Sequence, residues 1–316
     1  MAFVVHANLD CEAHWAGVPL PARVAARVSL YGALVAALAP REVAVGDVEV
    51  WLPAAVDAGR VGAALRPRLR VGTPPHADLA WADARARDAN DRRRVLGIAA
   101  LPGARVVATL DELAAHLGGG RAPARWVCKA PWTSAGRDRA FGRGAELGGE
   151  LRARVARLLA RFGPLVFEPW CERIVDCGAC ARVDGAGVVT AHPPHGLLVD
   201  SRGGFAGIDL APPALTGEER AQLATAVRAA GAMLAGLGYV GPYAVDAFAY
   251  RDDASGARRF HPVCEINARY SFGWVARALA ERVGANRLGL GAGAPPHGAT
   301  VLVAPTGDDP TAAWCA

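Results

Sequence analysis

Two apolar segments near residue 250 constrain the fold more than any other part of the chain. The segments YVGPYAVDAFAY (239–250) and RRFHPVCEIN (258–267) flank the polar stretch RDDASGA, a pattern that predicts an antiparallel hairpin. Side-chain alternation places Glu265 and Asn267 on one face of the second strand, with Asp246 on its neighbour. Two carboxylates and an amide are hard oxygen ligands that suit Mg²⁺. A solvated hairpin face is the alternative, which the apolar flanking residues disfavour.

A single lysine is the second informative feature. The chain has 35 Lys and Arg residues, of which only Lys129 is lysine. It ends the predicted strand RWVCKA and precedes a loop of small residues, where backbone N–H groups can approach a phosphate. Lysine supplies a compact charge that arginine does not reproduce, so the pattern indicates a phosphate contact, although chance and an ordinary strand end stay open. The P-loop pattern is absent. The loop spans residues 133–137 and includes Ser134, Ala135 and Gly136.

Strand and helix signals alternate in the first 85 or so residues. Strands are predicted at 3–5, 48–53 and 78–81, with a helix over 21–38, which favours a small α/β domain. Beyond this region the pattern changes. Further helices are predicted from residue 90, before residue 118, and over 151–162, 216–237 and 272–283, with short strands between them.

Composition excludes several function classes. The net charge is +5, but the basic residues are scattered, so we expect no nucleic-acid partner. No apolar run is long enough to span a membrane, and the N-terminus lacks the pattern of a signal peptide. Seven cysteines without a disulfide rhythm favour reduced thiols in a cytoplasmic protein.

Three segments carry a resemblance to a known superfamily. In chain order they are K-A-P…S-A-G-R, F-E-P-W…D and V-D-A…E-I-N-A-R, and together they resemble the ATP-grasp superfamily of carboxylate–amine ligases over residues 89–284. The resemblance implies an α/β N-terminal domain followed by an α+β ATP-grasp fold, whose two lobes hold a nucleotide in the cleft between them. The implied borders are 1–88 for the first domain, 89–300 for the ATP-grasp domain and 301–316 for a C-terminal tail. The small lobe would cover about 120–167 and the large lobe about 168–300.

The resemblance also implies roles for individual residues. Lys129 and the loop after it would bind the nucleotide phosphates, and Arg92 would take the place of a second basic residue that is normally lysine. Arg269 would steady the transferred phosphate or the acyl phosphate. Residues of the hinge between the lobes would bind the adenine. An acidic residue after the hinge would bind the ribose, and residues of the hairpin would bind Mg²⁺. These implied ligands are Glu168, Pro169 and Trp170 for adenine, Asp176 (with Glu172 as the alternative) for ribose, and Asp246, Glu265 and Asn267 for the metal.

The implied reaction is ATP-dependent. A substrate carboxylate attacks the γ-phosphate of Mg²⁺–ATP to give an acyl phosphate, which an amine then converts to an amide. The partners would be small carboxylates and amines, with amino acids or peptides the commonest class. The substrates themselves and the oligomeric state have no readable motif. His195, Arg182 and Ser271 are candidate substrate contacts by placement alone, as is the segment NLDCEAHWAG.

Other interpretations compete with this one. A nucleotide-binding or regulatory protein without catalysis would share the fold. Cys177 and Cys180, with His192 and His195, loosely match a zinc-site spacing, but alternation along one strand would separate the cysteines. The segment GLGYVG matches a dinucleotide-binding pattern in the wrong context, after a helix rather than a strand, and a helix C-terminal turn is favoured there.

Overall fold

The computed structural model describes residues 3–7, 9, 11–17, 20–72, 84–120, 122–132, 138–200 and 204–316. The strand predicted at 78–81 and the predicted phosphate loop, with Ser134, Ala135 and Gly136, lie outside these residues. Packing divides the chain into two units. The first unit comprises Met1–Ala82, His195–Pro212 and Tyr270–Ala316, and the second comprises Asp83–Pro194 and Pro213–Arg269. No described helix combines the length and the apolar character that crossing a membrane requires.

The helices of the described residues follow the apolar periodicity of the sequence. The best-capped is the longest, where Thr216 and Glu219 form a reciprocal capping box, and the last of them ends at Gly284 in the left-handed conformation. They are α1 Cys11–Trp15, α2 Ala22–Gly32, α3 Ala84–Ala89, α4 Leu110–Gly118, α5 Gly149–Phe162, α6 Gly217–Gly236 and α7 Phe272–Val283.

The strands include more short elements than the sequence predicted. They are β1 Phe3–His6, β2 Val48–Leu52, β3 Arg68–Val71, β4 Arg105–Val107, β5 Arg125–Lys129, β6 Arg139–Arg143, β7 Leu165–Pro169, β8 Glu172–Val183, β9 Val189–Ala191, β10 His195–Val199, β11 Phe205–Asp209, β12 Gly241–Arg251, β13 Arg258–Asn267, β14 Arg287–Ala292, β15 Thr300–Val303 and β16 Thr311–Cys315. The hairpin predicted around residue 250 is present as β12 and β13.

The first unit joins a parallel sheet to an antiparallel set of strands. The parallel sheet has the order β1-β2-β3, and the other strands have the order β10-β11-β14-β16-β15. Its larger core combines residues far apart in sequence, namely Leu30, Leu34, Leu65, Val275, Leu279, Leu288 and Leu302. The residues assigned to a tail, 301–316, thus contain β16 and most of β15. The predicted borders at 88 and 300 stay a prediction about domains.

One sheet of the second unit has the order β4-β7-β5-β6. Trp126, Cys128 and Phe167 are fully buried on one face of it, and α4 and α5 contact its strands. Gly142 is required there, because a Cβ at this position would lie 2.0 Å from the Trp126 ring. The opposite face is left for charged residues.

The other sheet of the second unit is antiparallel, with β12 between β13 and β8 and with β9 beside β8. Helix α6 covers one face, where Leu223, Val227 and Leu234 join the core. Asp246 lies opposite Glu265, and Phe248 lies opposite His261, so the register shifts between these two pairs. The shift inserts extra residues into β13 just before Glu265, as in a β-bulge.

Residues after 90 were predicted to form a helix and instead form a short 3₁₀ helix, Arg92–Gly97. Asp91 caps it by accepting from the backbone N–H of Arg93 at 2.9 Å. The backbone N–H of Arg92 donates to the carbonyl of Pro131 at 3.2 Å. The segment is therefore tied to the end of β5.

Candidate functional site

The lysine lies in a buried ion pair. Lys129 and Glu168 contact each other through Nζ and Oε1, and they are only 5% and 6% exposed. Val127 of β5 is the ladder partner of Glu168, and Lys129 is the partner of Val166, so the pair forms diagonally on the charged face of the sheet. The predicted phosphate-binding lysine and the predicted hinge glutamate are thus brought together. A buried ammonium needs such a partner.

Arg92 connects two parts of the predicted site. Its Nη1 donates to the carbonyl oxygen of Ala130 at 3.1 Å, next to Lys129, and its Nη2 donates to Oε1 of Glu265 at 2.9 Å. The side chain is buried, whereas that of Glu265 is 26% exposed. One guanidinium therefore holds the end of β5 beside the predicted metal ligands of β13.

The predicted metal ligands lie together. Asp246 and Glu265 are direct cross-strand partners, and Asn267 Nδ2 donates to Asp246 Oδ2 at 3.3 Å. Burial, and after it the charge of Glu265, raises the pKa of Asp246 to about 7. Burial also raises the pKa of Glu265, but Arg92 and Arg139 outweigh it, and the net shift is downward. Two adjacent carboxylates that disfavour each other's charge suit a divalent cation.

Arg269 is held by a residue that the sequence analysis did not assign. Its Nη1 donates to Asn90 Oδ1 at 3.2 Å, and the same oxygen accepts from the backbone N–H of Ala268 at 2.9 Å. Asn90 is buried and lies two residues before the start of the 3₁₀ helix. It therefore joins the segment of Arg92 to the end of β13, where Arg269 follows the metal ligands.

Two of the predicted ribose and adenine residues, Asp176 and Trp170, lie beside Arg173, which was not predicted. Asp176 accepts from Arg173 Nη1 at 2.6 Å, and the guanidinium lies 4.1 Å from the centre of the Phe248 ring and 5.6 Å from that of Trp170. The backbone N–H of Trp170 donates to the carbonyl of Arg125 at 2.9 Å. That donor is thus engaged within the sheet, which limits the hinge groups available to a base edge. Pro169 lies in β7 and Glu172 begins β8.

Three further side chains belong to this region. His261 is buried, and its ring centroid lies 5.2 Å from that of Phe248. Burial lowers its pKa to about 4; Glu168 acts to raise this pKa, and Lys129 acts to lower it further. Arg139 and Arg173 contribute charge, and all three were missed. Only their position beside a predicted element could have indicated them, since none lies in a motif.

The candidate substrate contacts are divided between the two units. His195 and Ser271 belong to the first unit, where Ser271 precedes α7 and burial lowers the pKa of His195 to about 4. Arg182 lies far along β8 and is exposed. Cys177 and Cys180 are both fully buried. Within the described ranges, no group of three or more His, Cys, Asp or Glu side chains is placed to hold a metal ion.

Comparison with known proteins gives structural similarity only. No family model matches the sequence, and no curated protein matches it. The biotin carboxylase domain of 2-oxoglutarate carboxylase from Hydrogenobacter thermophilus, in complex with MgADP, ADP and bicarbonate, is 16% identical, with a TM-score of 0.52 over 100% of this chain and 86% of that chain. Phosphoribosylamine–glycine ligase from Thermotoga maritima is 13% identical, with a TM-score of 0.50 over 92% of this chain and 89% of that chain.

Both of these similar structures are ATP-grasp enzymes. This chain has the ATP-grasp fold. The prediction of an α/β N-terminal part followed by an α+β ATP-grasp fold is confirmed. Pyruvate carboxylase from Rhizobium etli is also similar, at 14% identity and a TM-score of 0.55 over 100% of this chain but 35% of that chain. The chain spans 41% of the length of a Campylobacter jejuni biotin carboxylase.

Proposed function

We propose that the chain is an ATP-dependent ligase that joins a carboxylate to an amine through an acyl phosphate. The observation that carries this proposal is the bridge of Arg92 from the carbonyl of Ala130 to the carboxylate of Glu265. It brings the strand end that bears Lys129 to the carboxylates of the hairpin within one unit of an ATP-grasp fold. A nucleotide polyphosphate with a divalent cation needs both kinds of group side by side.

Asp246, Glu265 and Asn267 are the residues that would hold Mg²⁺. Burial and the charge of Glu265 raise the pKa of Asp246, and a divalent cation would offset the repulsion between these two carboxylates. The oxygen donors also match the preference of Mg²⁺. When bound, Mg²⁺ would neutralise part of the charge of the nucleotide phosphates.

The remaining residues would bind and orient the reactants. Lys129, Arg92 and Arg269 would neutralise phosphate charge, while Glu168, Pro169 and Trp170 would contact adenine and Asp176 the ribose. The substrate carboxylate oxygen forms a bond to the γ-phosphorus as the bond to the β–γ bridging oxygen breaks and ADP leaves. The amine nitrogen then bonds to the acyl carbon, and phosphate and a proton are released. Positioning and electrostatics carry such a reaction without a protein nucleophile.

A nucleotide-binding protein without catalysis is the second candidate. It is favoured by the ion pairs within the site, because Lys129 pairs with Glu168 and Arg92 pairs with Glu265. Both readings require nucleotide binding, and they differ in whether ADP and phosphate are released when substrates are present.

The first experiment measures nucleotide binding and its dependence on Mg²⁺. A ligand that binds only the folded state raises the melting temperature, so a non-hydrolysable ATP analogue should do so only with Mg²⁺. Asp246→Asn and Glu265→Gln should abolish either the rise in melting temperature or its dependence on Mg²⁺. Asp253→Asn, in the exposed turn of the same hairpin, should leave both unchanged. A natural chain that shows no shift at millimolar nucleotide would contradict the proposal.

The second experiment separates the two candidates. Release of ADP is followed while amino acids and other small carboxylates and amines are supplied in pairs. Turnover that Asp246→Asn abolishes supports the ligase, whereas binding without turnover for any pair supports the non-catalytic protein.

A further inference from the structure

Arg139 is a cation of the site that the proposed roles do not use. It begins β6 and is the direct ladder partner of Lys129. Directly opposed residues of an antiparallel pair present their side chains on the same face of the sheet. Arg139 therefore lies on the charged face, beside the ion pair of Lys129 and Glu168.

This arrangement is unfavourable for the free protein. Like charges directly opposite each other destabilise a strand pair, and the nearby carboxylates are engaged, Glu168 by Lys129 and Glu265 by Arg92. The Nε atom of Arg139 is buried and has no hydrogen-bond partner among the described residues. An unsatisfied buried donor is destabilising and calls for an explanation.

The surroundings hold Arg139 in this position. Its carbonyl oxygen accepts from Arg154 Nε at 2.7 Å, and the residue before it, Asp138, has a φ of 50°, the left-handed conformation. The carbonyl of Asp138 accepts from the backbone N–H of Ala130 at 3.3 Å, and the carbonyl of Ala130 accepts from Arg92. A short hydrogen-bonded chain thus links the start of β6 to Arg92.

The electrostatic environment agrees with this geometry. Burial, followed by the charge of Arg92, lowers the pKa of Arg139, while Glu265 acts in the opposite direction. The guanidinium therefore lies within electrostatic reach of Arg92 and of Glu265, one of the predicted metal ligands.

We propose that Arg139 binds the polyphosphate of the nucleotide as a further cation of this site. The inference rests on the proposed function and assigns to it a residue with a buried, unused donor. A phosphate oxygen would accept the hydrogen bond from Arg139 Nε, for which the described residues supply no acceptor. Its negative charge would also reduce the repulsion between Arg139 and Lys129. A planar guanidinium can donate two parallel hydrogen bonds to a phosphate.

The test compares two arginines of the same strand. Arg139→Met removes the charge and keeps a similar length, Arg139→Lys keeps the charge, and Arg143→Met is the matched control at the exposed end of β6. The probes are tripolyphosphate, adenosine and the Mg²⁺ complex of a non-hydrolysable ATP analogue. Affinity is measured by calorimetry, and the melting temperature is measured without any ligand.

The expected result has two parts. Arg139→Met should lower the affinity for tripolyphosphate and for the ATP analogue about tenfold to a hundredfold, the range of a lost charge-assisted hydrogen bond. The affinity for adenosine should not change, and Arg139→Lys should recover part of the lost affinity. Without ligand, its melting temperature should equal or exceed that of the natural chain, because the unsatisfied donor is gone. A merely structural arginine would show the opposite, a lower melting temperature with unchanged affinities.

The outcomes distinguish this inference from the function on which it rests. A natural chain that binds neither tripolyphosphate nor the ATP analogue overturns both. A natural chain that binds them, with Arg139→Met binding them equally well, overturns the role of Arg139 alone and leaves the nucleotide site intact.

Discussion

At the scale of single residues, the lone lysine has a structural explanation beside the functional one. Its ammonium is buried against Glu168, where a compact charge fits and a wide guanidinium would need more space. The sequence indicated that position 129 differs from the other basic positions. It did not indicate the partner, because Glu168 is 39 residues away along the chain.

We expect Lys129→Met to destabilise the protein by about 3–5 kcal/mol, because it leaves the Glu168 carboxylate buried without a partner. The measurement is urea unfolding of the free protein. The double variant Lys129→Met with Glu168→Gln should lose less free energy of unfolding than the sum of the losses of the two single variants. Arg143→Met should change the free energy of unfolding little. Equal stability of Lys129→Met and the natural chain would exclude a buried ion pair.

Two buried histidines predict a loss of stability in acid. His195 and His261 are 2% and 4% exposed, and burial lowers the pKa of each to about 4. The unfolded chain therefore binds more protons between pH 6.5 and pH 4, and the free energy of unfolding falls as the pH drops through this window.

Between pH 7 and pH 5 the loss should be up to about 2 kcal/mol for each histidine. It is measured by urea unfolding at both pH values. His195→Gln should flatten the pH dependence by its own share, and His297→Gln, at an exposed position, should leave it unchanged. A variant at 195 with the full pH dependence would count against the buried neutral imidazole.

At the scale of elements, the long periodic segments were predicted well and the short ones were not. The hairpin β12–β13 and helices α5, α6 and α7 have strong patterns and agree with the structure to within a few residues. Strands β6, β14, β15 and β16 are only four to six residues long. Their sequences, such as RAFGR and RLGLGA, have little periodicity, so that partners in the sheet rather than local preference decide their conformation.

The capping box of α6 supplies a test at this scale. Thr216→Ala removes the acceptor for the backbone N–H of Glu219, a bond of 3.1 Å, and should cost about 1 kcal/mol. Thermal or urea unfolding measures it. Thr225→Ala makes the same chemical change at an exposed position inside the helix, where alanine favours the helix, and should not destabilise. Equal effects of the two changes would argue against the cap.

Gly142 tests the packed face of the sheet that carries Lys129. Gly142→Ala would place a Cβ 2.0 Å from the buried ring of Trp126, so β5 and β6 would have to separate. We expect a loss of several kcal/mol, beyond the usual range of about 1–3 kcal/mol for overpacking, with weaker nucleotide binding. Gly149→Ala meets no atom within 4 Å and should be neutral or slightly stabilising. A stable Gly142→Ala variant would be inconsistent with this packing.

At the scale of the whole molecule, packing groups residues that the sequence separates. The larger core of the first unit places Leu30, Leu34 and Leu65 with Leu288 and Leu302. A fragment of residues 89–316 would thus lack Leu30, Leu34, Ala37 and Leu65 of that core and would expose the apolar residues that pack against them.

We expect this fragment to bind a hydrophobic dye and to lack a cooperative unfolding transition, unlike the full chain. Circular dichroism and calorimetry on both proteins measure the difference. A fragment that unfolds cooperatively, with an enthalpy in proportion to its length, would instead support the predicted border at residue 88 as an independent folding boundary.

The sequence alone determined the hairpin with its oxygen ligands, the unusual lysine and the resemblance to the ATP-grasp superfamily, because these features depend on local alternation and on residue type. Only the tertiary structure decided the partners of those residues, such as Glu168 for Lys129 and Glu265 for Arg92. It alone also revealed Arg139 and Asn90 at the site. Charge pairing and burial depend on which distant segments meet, and no local pattern records that choice.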